Sequence, residues 1–411
     1  MEGSIFYNGK FELANPILFQ VIWAVAFLTF TLLFSKQNKT DSSTLLHREY
    51  TESLRGVSIL LIITHHFAHN LVKPSLLPLF YDLGHFGVGI FLCLSGYGLA
   101  ESYQSKGLNG FFYPKLLRIF LPFLMANLFF LLMNQTVGGK IIGFADMPFI
   151  LVGLIIFDAN YWYMQYLFCL YFLFWLLFNL KMDDKYKLLM LFVFSFTILL
   201  SDIFPVSARV NSFTFFIGVA LSLNKTKISN LISSQTLKVY SVLLICMVSC
   251  LVFVTLTQGR LELSRRLFFV MAVLFAALIT LRSGFDKKEK MALLLFSILG
   301  SAYISLSADF APSFILSLSV SNYVVTFMLL FGVVFVKWRS LFLEFVGSIS
   351  YELYLLHGMF MVNYDFVLHR YPAQYSFFVY LAMIMFFSFL TKKTTGLVAV
   401  GTDKMLTQLL K

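Results

Sequence analysis

The chain has 411 residues, of which 59% are hydrophobic and only 12% charged, with a mean hydropathy of +0.83. That composition excludes a soluble globular domain and predicts an all-α, polytopic transmembrane helical bundle. The apolar runs are continuous and about twenty residues long, not the short alternating segments of a β-barrel. The net charge of +11 is explained by basic loops at one membrane face and carries no nucleic-acid signature.

In chain order, apolar segments fall at 17–35, 55–73, 84–103, 116–134, 162–180, 187–203, 207–223, 237–257, 266–282, 291–308, 322–337, 341–362 and 375–391. We expect about 11–13 of these to span the bilayer. The first, Pro16 to Phe34, lacks a small-residue cleavage site and reads as an uncleaved span. The run from Ile141 to Phe157 is broken by Gly143, Asp146 and Pro148, as a re-entrant or interfacial piece would be. Lysine-rich loops at 35–52, 104–115, 181–187, 224–227, 286–290, 337–339 and 391–393 alternate in side. The positive-inside rule makes that side cytoplasmic, leaving the N-terminus outside and the C-terminus inside. Arg260, Arg265 and Arg266 are an exception to the pattern. The four cysteines, Cys93, Cys169, Cys246 and Cys250, lie within apolar runs and form no CxxC pair, so neither a disulfide framework nor a zinc ribbon is expected.

Four stretches carry polar groups into apolar surroundings. In the first, SLRGVSILLIITHHFAH (53–69), Arg55 and His66 are eleven residues apart. On a helix both then share one face, about 16 Å apart along the axis. With the arginine at an interface, His66 is expected near the midplane, where an ionisable group marks function by default. An interfacial anchor and an interhelical histidine would account for the same two residues. In the second, GHFGVGIFLCLSGYGL (84–99), the small residues Gly84, Gly87, Gly89, Ser95, Gly96 and Gly98 predict close helix packing. In the third, FFYPKLLRIFLPF (111–123), Pro114 suits a first helical turn, and Lys115 and Arg118 follow at i and i+3. Cations at a helix N-terminus either anchor it at the interface or bind an anion, and Arg55 is expected at the same face. In the fourth, GSISYELYLLHGM (347–359), a helical wheel puts Gly347, Ser350, Tyr354 and His357 on one stripe and Glu352 opposite. Such a stripe faces protein or a water-filled cavity. The acids nearest membrane depth, Glu101 and Glu352, show no pairing in sequence.

Together these stretches resemble the acyltransferase-3 family of integral membrane O-acyltransferases of the surface-polysaccharide type. Arg55 and His66 fit the family's Arg–ten residues–His spacing. Ile90 to Tyr97 is similar to its F-F-x-L-S-G-F stretch, with Ile and Tyr at the ends. Lys115-Leu-Leu-Arg118-Ile-Phe-Leu-Pro122 looks like its R-x-x-R-x-x-x-P segment with lysine for the first arginine. Tyr161-Trp162-Tyr163-Met164 resembles its Trp-aromatic-Leu motif, and Ile349 to His357 its I-S-Y-x-L-Y-L-x-H. The similarity runs from about residue 53 to 391. It divides the chain into an extra N-terminal helix and cytoplasmic linker, 1–52, and a membrane acyltransferase domain, 53–411.

The resemblance implies transfer of an acyl group, acetyl by default, from cytoplasmic acyl-CoA to a hydroxyl of a lipid-linked or cell-surface glycan. No cofactor is implied beyond acetyl-CoA as donor substrate, and the implied location is the bacterial inner membrane. Arg55, Lys115 and Arg118 are the expected cradle for coenzyme A. His66 is the expected general base, with Arg55 beside it as a catalytic candidate. Ser95, Trp162, Tyr351, Tyr354 and His357 are candidates for lining the acceptor path or stabilising an oxyanion. His65, His69 and His85 have the spacing of a helical metal site, but nearby Asp, Glu or Cys ligands to complete it are missing from the sequence, so no metal is expected. The alternative reading is a transporter or flippase of a lipid-linked saccharide, against which stands the absence of a recognisable inverted repeat.

Overall fold

A computed structural model describes residues 10–37, 46–230 apart from two-residue gaps at 74, 78, 81 and 139, scattered positions between 315 and 330, and 338–409 apart from 365. Within it the helices are α1 (Pro16–Leu33), α2 (Arg48–His69), α3 (Leu83–Lys106), α4 (Leu121–Val137), α5 (Trp162–Phe178), α6 (Asp184–Leu200), α7 (Thr214–Leu223), α8 (Leu341–Ser348), α9 (Ser350–Gly358) and α10 (Ala373–Leu409). Short turns precede or follow several of them. Tyr113–Lys115 and the π-helical Leu116–Phe120 lead into α4, Val206–Val210 into α7, and the π-helical Met359–Asn363 follows α9. One small antiparallel pair, β1 (Ser35–Gln37) with β2 (Trp338–Ser340), joins the end of α1 to the start of α8.

Six described helices, counted with their flanking turns, are long and apolar enough to cross a membrane, and a seventh if α8 and α9 make one span. The all-α bundle is as expected. Of the other expected spans, α2 and α6 are present as helices, whereas 237–257, 266–282, 291–308 and most of 322–337 lie outside the described residues. Arg260, Arg265 and Arg266 lie outside them too.

The helix that organises the bundle is its least apolar one. The first two turns of α2 read REYTESLR, and its body carries Ser58, Thr64 and three histidines. A helix of that composition is poorly suited to lipid, and 12 of its 22 residues are buried. Its buried hydroxyls are satisfied locally: Ser58 donates to the Leu54 carbonyl at 2.7 Å and Thr64 to the Leu60 carbonyl at 2.8 Å. Trp23 of α1 donates its indole N–H to Thr64 at 3.0 Å, and Phe19 of α1 packs on Phe67. α1 therefore braces α2.

Glycine sets how closely the neighbours approach. A Cβ on Gly56 would strike the Leu343 carbonyl of α8, and one on Gly347 would strike the Glu52 carbonyl of α2. The same reciprocal fit joins α3 and α7, where Gly96 lies against the Phe215 carbonyl and Gly218 against that of Cys93. Gly87 rests on the Ser58 carbonyl, where a Cβ would stand at 2.5 Å. These are backbone-to-backbone contacts, which only small residues permit. The expected packing role of the glycine-rich stretch is thus seen atom by atom.

Two expectations, on the stripe at 347–357 and on Glu101, need correction. α2 itself starts at Arg48. Its charged turns stay helical because Glu52 pairs with Arg48 at 3.8 Å and Arg55 at 3.6 Å, and Glu49 pairs with Arg339 at 2.7 Å. The stripe from Gly347 to His357 is not continuous, because the chain bends by 63° between α8 and α9. Gly347 serves the α2 contact instead, and Glu352 is buried. Glu101 is paired after all: it meets Lys225 at 2.7 Å and accepts from Ser222 at 2.7 Å, a partner more than 120 residues away in sequence.

Replacing Gly347 by alanine is expected to destabilise the protein by about 1–3 kcal/mol through overpacking against a backbone that cannot yield. Gly98, with open space at its Cβ position, should accept alanine with no loss. Thermal unfolding of the two variants in detergent checks the contrast.

Candidate active site

The last turn of α2 ends at Asn70, whose side-chain amide donates to the His66 carbonyl at 2.8 Å. His66 therefore lies one turn from the helix end. Along α2, His66 sits three turns beyond Arg55 and near the helix's far end. Arg55 stands two turns in from the other end.

Around His66 the bundle leaves a cavity lined by Ile62, His65, His66, Gly84, His85, Val88, Trp162, Ser207 and Tyr354. Five histidine rings gather there. His66 lies 5.1 Å from His357 and 5.1 Å from His65, centre to centre, and His65 lies 4.3 Å from His69 and 5.6 Å from His85. Gly84 makes room for the His65 ring, which a Cβ would strike. Among the described residues no group of three or more side chains is arranged to hold a metal ion.

The wall opposite α2 is built from tyrosines whose hydroxyls are tied to backbone carbonyls. Tyr354 donates to Asn160, Tyr161 to Leu355 at 2.8 Å, Tyr380 to His357 at 2.6 Å and Tyr351 to Ile119 at 2.7 Å. These bonds clamp α9 between the start of α5, the π-helical turn before α4, and α10. Tyr351 is consequently a brace between α9 and that turn, whereas Tyr354 and Trp162 reach the cavity. Ser95 is a hydrogen-bond partner of Tyr163 and Tyr171. Tyr163 packs against Tyr354 at 5.1 Å. A line of polar and aromatic groups therefore runs from Ser95 past Tyr163 to Tyr354 and the cavity.

The cations divide into two places. Lys115 lies over the Phe111 ring at 3.8 Å, and Arg118 is exposed within the π-helical turn. Arg55, 39% exposed at its side chain, is held by Glu52 on α2. Among the described residues no contact gathers all three. Pro114 does occupy the first helical turn, as expected.

Sequence reading missed Ser207, His65 and His85 as cavity walls, and Asp158 as a buried carboxylate. Asp158 accepts from the Asn160 amide at 2.8 Å and sits where a Cβ on Gly358 would go. An acid immediately before the Ala-Asn-Tyr turn that opens a span was the available signal.

Comparison with curated proteins and with solved structures found no match. A family model described as an acyltransferase domain matches residues 48–393, from the first residue of α2 into α10. The match takes in every element that builds the cavity, and the chain is therefore an integral membrane protein that belongs to the acyltransferase-3 family.

Proposed function

We propose that the chain moves an acyl group, acetyl in the simplest case, from cytoplasmic acyl-CoA to a hydroxyl of a lipid-linked or cell-surface glycan. The observation that supports this most is the cavity at the end of α2, which puts His66 beside Trp162 and Tyr354 while Arg55 lies three turns away on the same helix. Coenzyme A is a multiply charged anion with a long flexible arm. Lys115 and Arg118 take its outer phosphates, Arg55 takes the charge nearest the arm, and the arm follows Ser95 and Tyr163 inward. The thioester then lies at His66.

The chemistry at that point is a proton transfer coupled to acyl transfer. A histidine shielded from bulk water and surrounded by uncharged groups stays neutral and can accept a proton. His66 takes the proton of the acceptor hydroxyl as its oxygen attacks the thioester carbonyl carbon. When the tetrahedral intermediate collapses, the carbon–sulfur bond breaks and the same proton passes to the departing sulfur. The products are an ester and free coenzyme A. Trp162 and Tyr354 shape the acceptor side of the cavity. In this reading the N-terminus lies outside, the C-terminus inside, and the membrane is a bacterial inner membrane.

Turnover of acetyl-CoA by the purified protein, with a lipid-linked glycan as acceptor, tests the reading. His66→Ala is expected to reduce transfer by at least about a hundredfold, the lower end of the range for losing a general base, while the protein stays inserted and folded. A folded, active His66→Ala protein would refute His66 as the base. Arg55→Ala is expected to raise KM for acetyl-CoA about tenfold or more, as the loss of one charge-assisted hydrogen bond requires, and to leave the KM for the acceptor unchanged.

A further inference from the structure

His357 has a fixed tautomer. Its Nδ1 lies 2.7 Å from the Tyr354 carbonyl oxygen, an acceptor with no proton of its own, so Nδ1 must carry the hydrogen. Nε2 is then a bare lone pair. The ring is fully buried, and Nε2 has no hydrogen-bond partner among the described residues. A buried acceptor left unmatched is costly, and native proteins rarely keep one without a reason. The groups around it hold it firmly: Tyr380 donates to the His357 carbonyl at 2.6 Å, Tyr354 packs at a tilt beside its ring at 5.6 Å, and Gly358 is packed against Asp158 and Asn160.

Beside the His357 ring is that of His66, 5.1 Å away centre to centre and tilted by 37°, a separation that one N–H···N bond between the rings can span. Neutral His66 has one N–H to give, and the nitrogen that takes the acceptor's proton faces the reacting oxygen and sulfur. The N–H that turns to Nε2 is therefore the one His66 already carries, and that bond strengthens when the ring becomes a cation. An interaction that is stronger once the proton has been taken lowers the barrier more than it tightens ground-state binding.

We propose that His357 is a positioning residue for His66, forming with the Tyr354 carbonyl a relay that orients His66 and stabilises its protonated form. The proposal rests on the acyl-transfer reading above and adds to it the second member of the proton-handling pair. No proton leaves His357 in the step: Nδ1–H stays on the Tyr354 carbonyl, and Nε2 accepts the hydrogen bond from His66.

Two substitutions and one spectrum test it on the full chain in detergent, with acetyl-CoA and a lipid-linked glycan. His357→Gln keeps an acceptor oxygen near the Nε2 position, and His357→Leu removes it. His357→Leu should lower kcat at least a hundredfold with KM for acetyl-CoA unchanged, and His357→Gln should recover at least tenfold of that loss. Nitrogen NMR of the histidine-labelled protein should show His357 protonated at Nδ1 and bare at Nε2. Full kcat in His357→Leu, equal loss in both variants, or a proton found on Nε2 each overturns the proposal. Absence of transfer by the wild-type chain with any acyl-CoA overturns the acyl-transfer reading and the relay with it, a result separate from failure of the variants alone.

Discussion

The backbone contact between α2 and α8, made at Gly56 and Gly347, is the constraint on which the rest depends. α2 carries too many polar groups to face lipid, so it has to be encased by other helices. Encasement without side chains at the contact brings α8 close enough for the chain to turn through 63° into α9, and α9 then delivers His357 and Tyr354 to the end of α2. The α3–α7 contact at Gly96 and Gly218 repeats the device on the other side. Rigid helix contacts of this kind hold a cavity open where flexible side chains would fill it.

Much of this was legible in the sequence, and the reasons divide by physical range. Long apolar runs, the glycines of α3 and the eleven-residue interval from Arg55 to His66 are local patterns, and they appeared where periodicity put them. The bend after Ser348 was not legible. Gly347 and Ser350 read as members of one helical face, and only contact with the Glu52 carbonyl shows that Gly347 belongs to a different surface. The Glu101–Lys225 pair escaped for the same reason, since its members are distant in sequence. The charged residues before Arg55 read as a loop, whereas they continue the helix and pair with one another and with Arg339.

The site itself combines two environments that the sequence could name but not arrange. At one end are cations with room around them, Arg55 partly exposed and Arg118 exposed. At the other is a chamber of neutral rings, where hydroxyls and imidazoles are anchored on backbone carbonyls. The proposed donor, an anion with a long uncharged arm, matches that polarity in order. On the proposed function, charge is recognised where water is at hand, and the proton is moved where it is scarce.

The central claim is that the donor's acyl carbon comes to rest at His66. The most direct test is an electron cryomicroscopy structure of the full chain with a non-transferable acetyl-CoA analogue, its thioester sulfur replaced by a methylene group. The account predicts phosphate density near Arg55, Lys115 and Arg118 and the acyl carbonyl in the cavity beside His66 and Trp162. An analogue bound with its acyl end elsewhere, and the histidine chamber left empty, would contradict it.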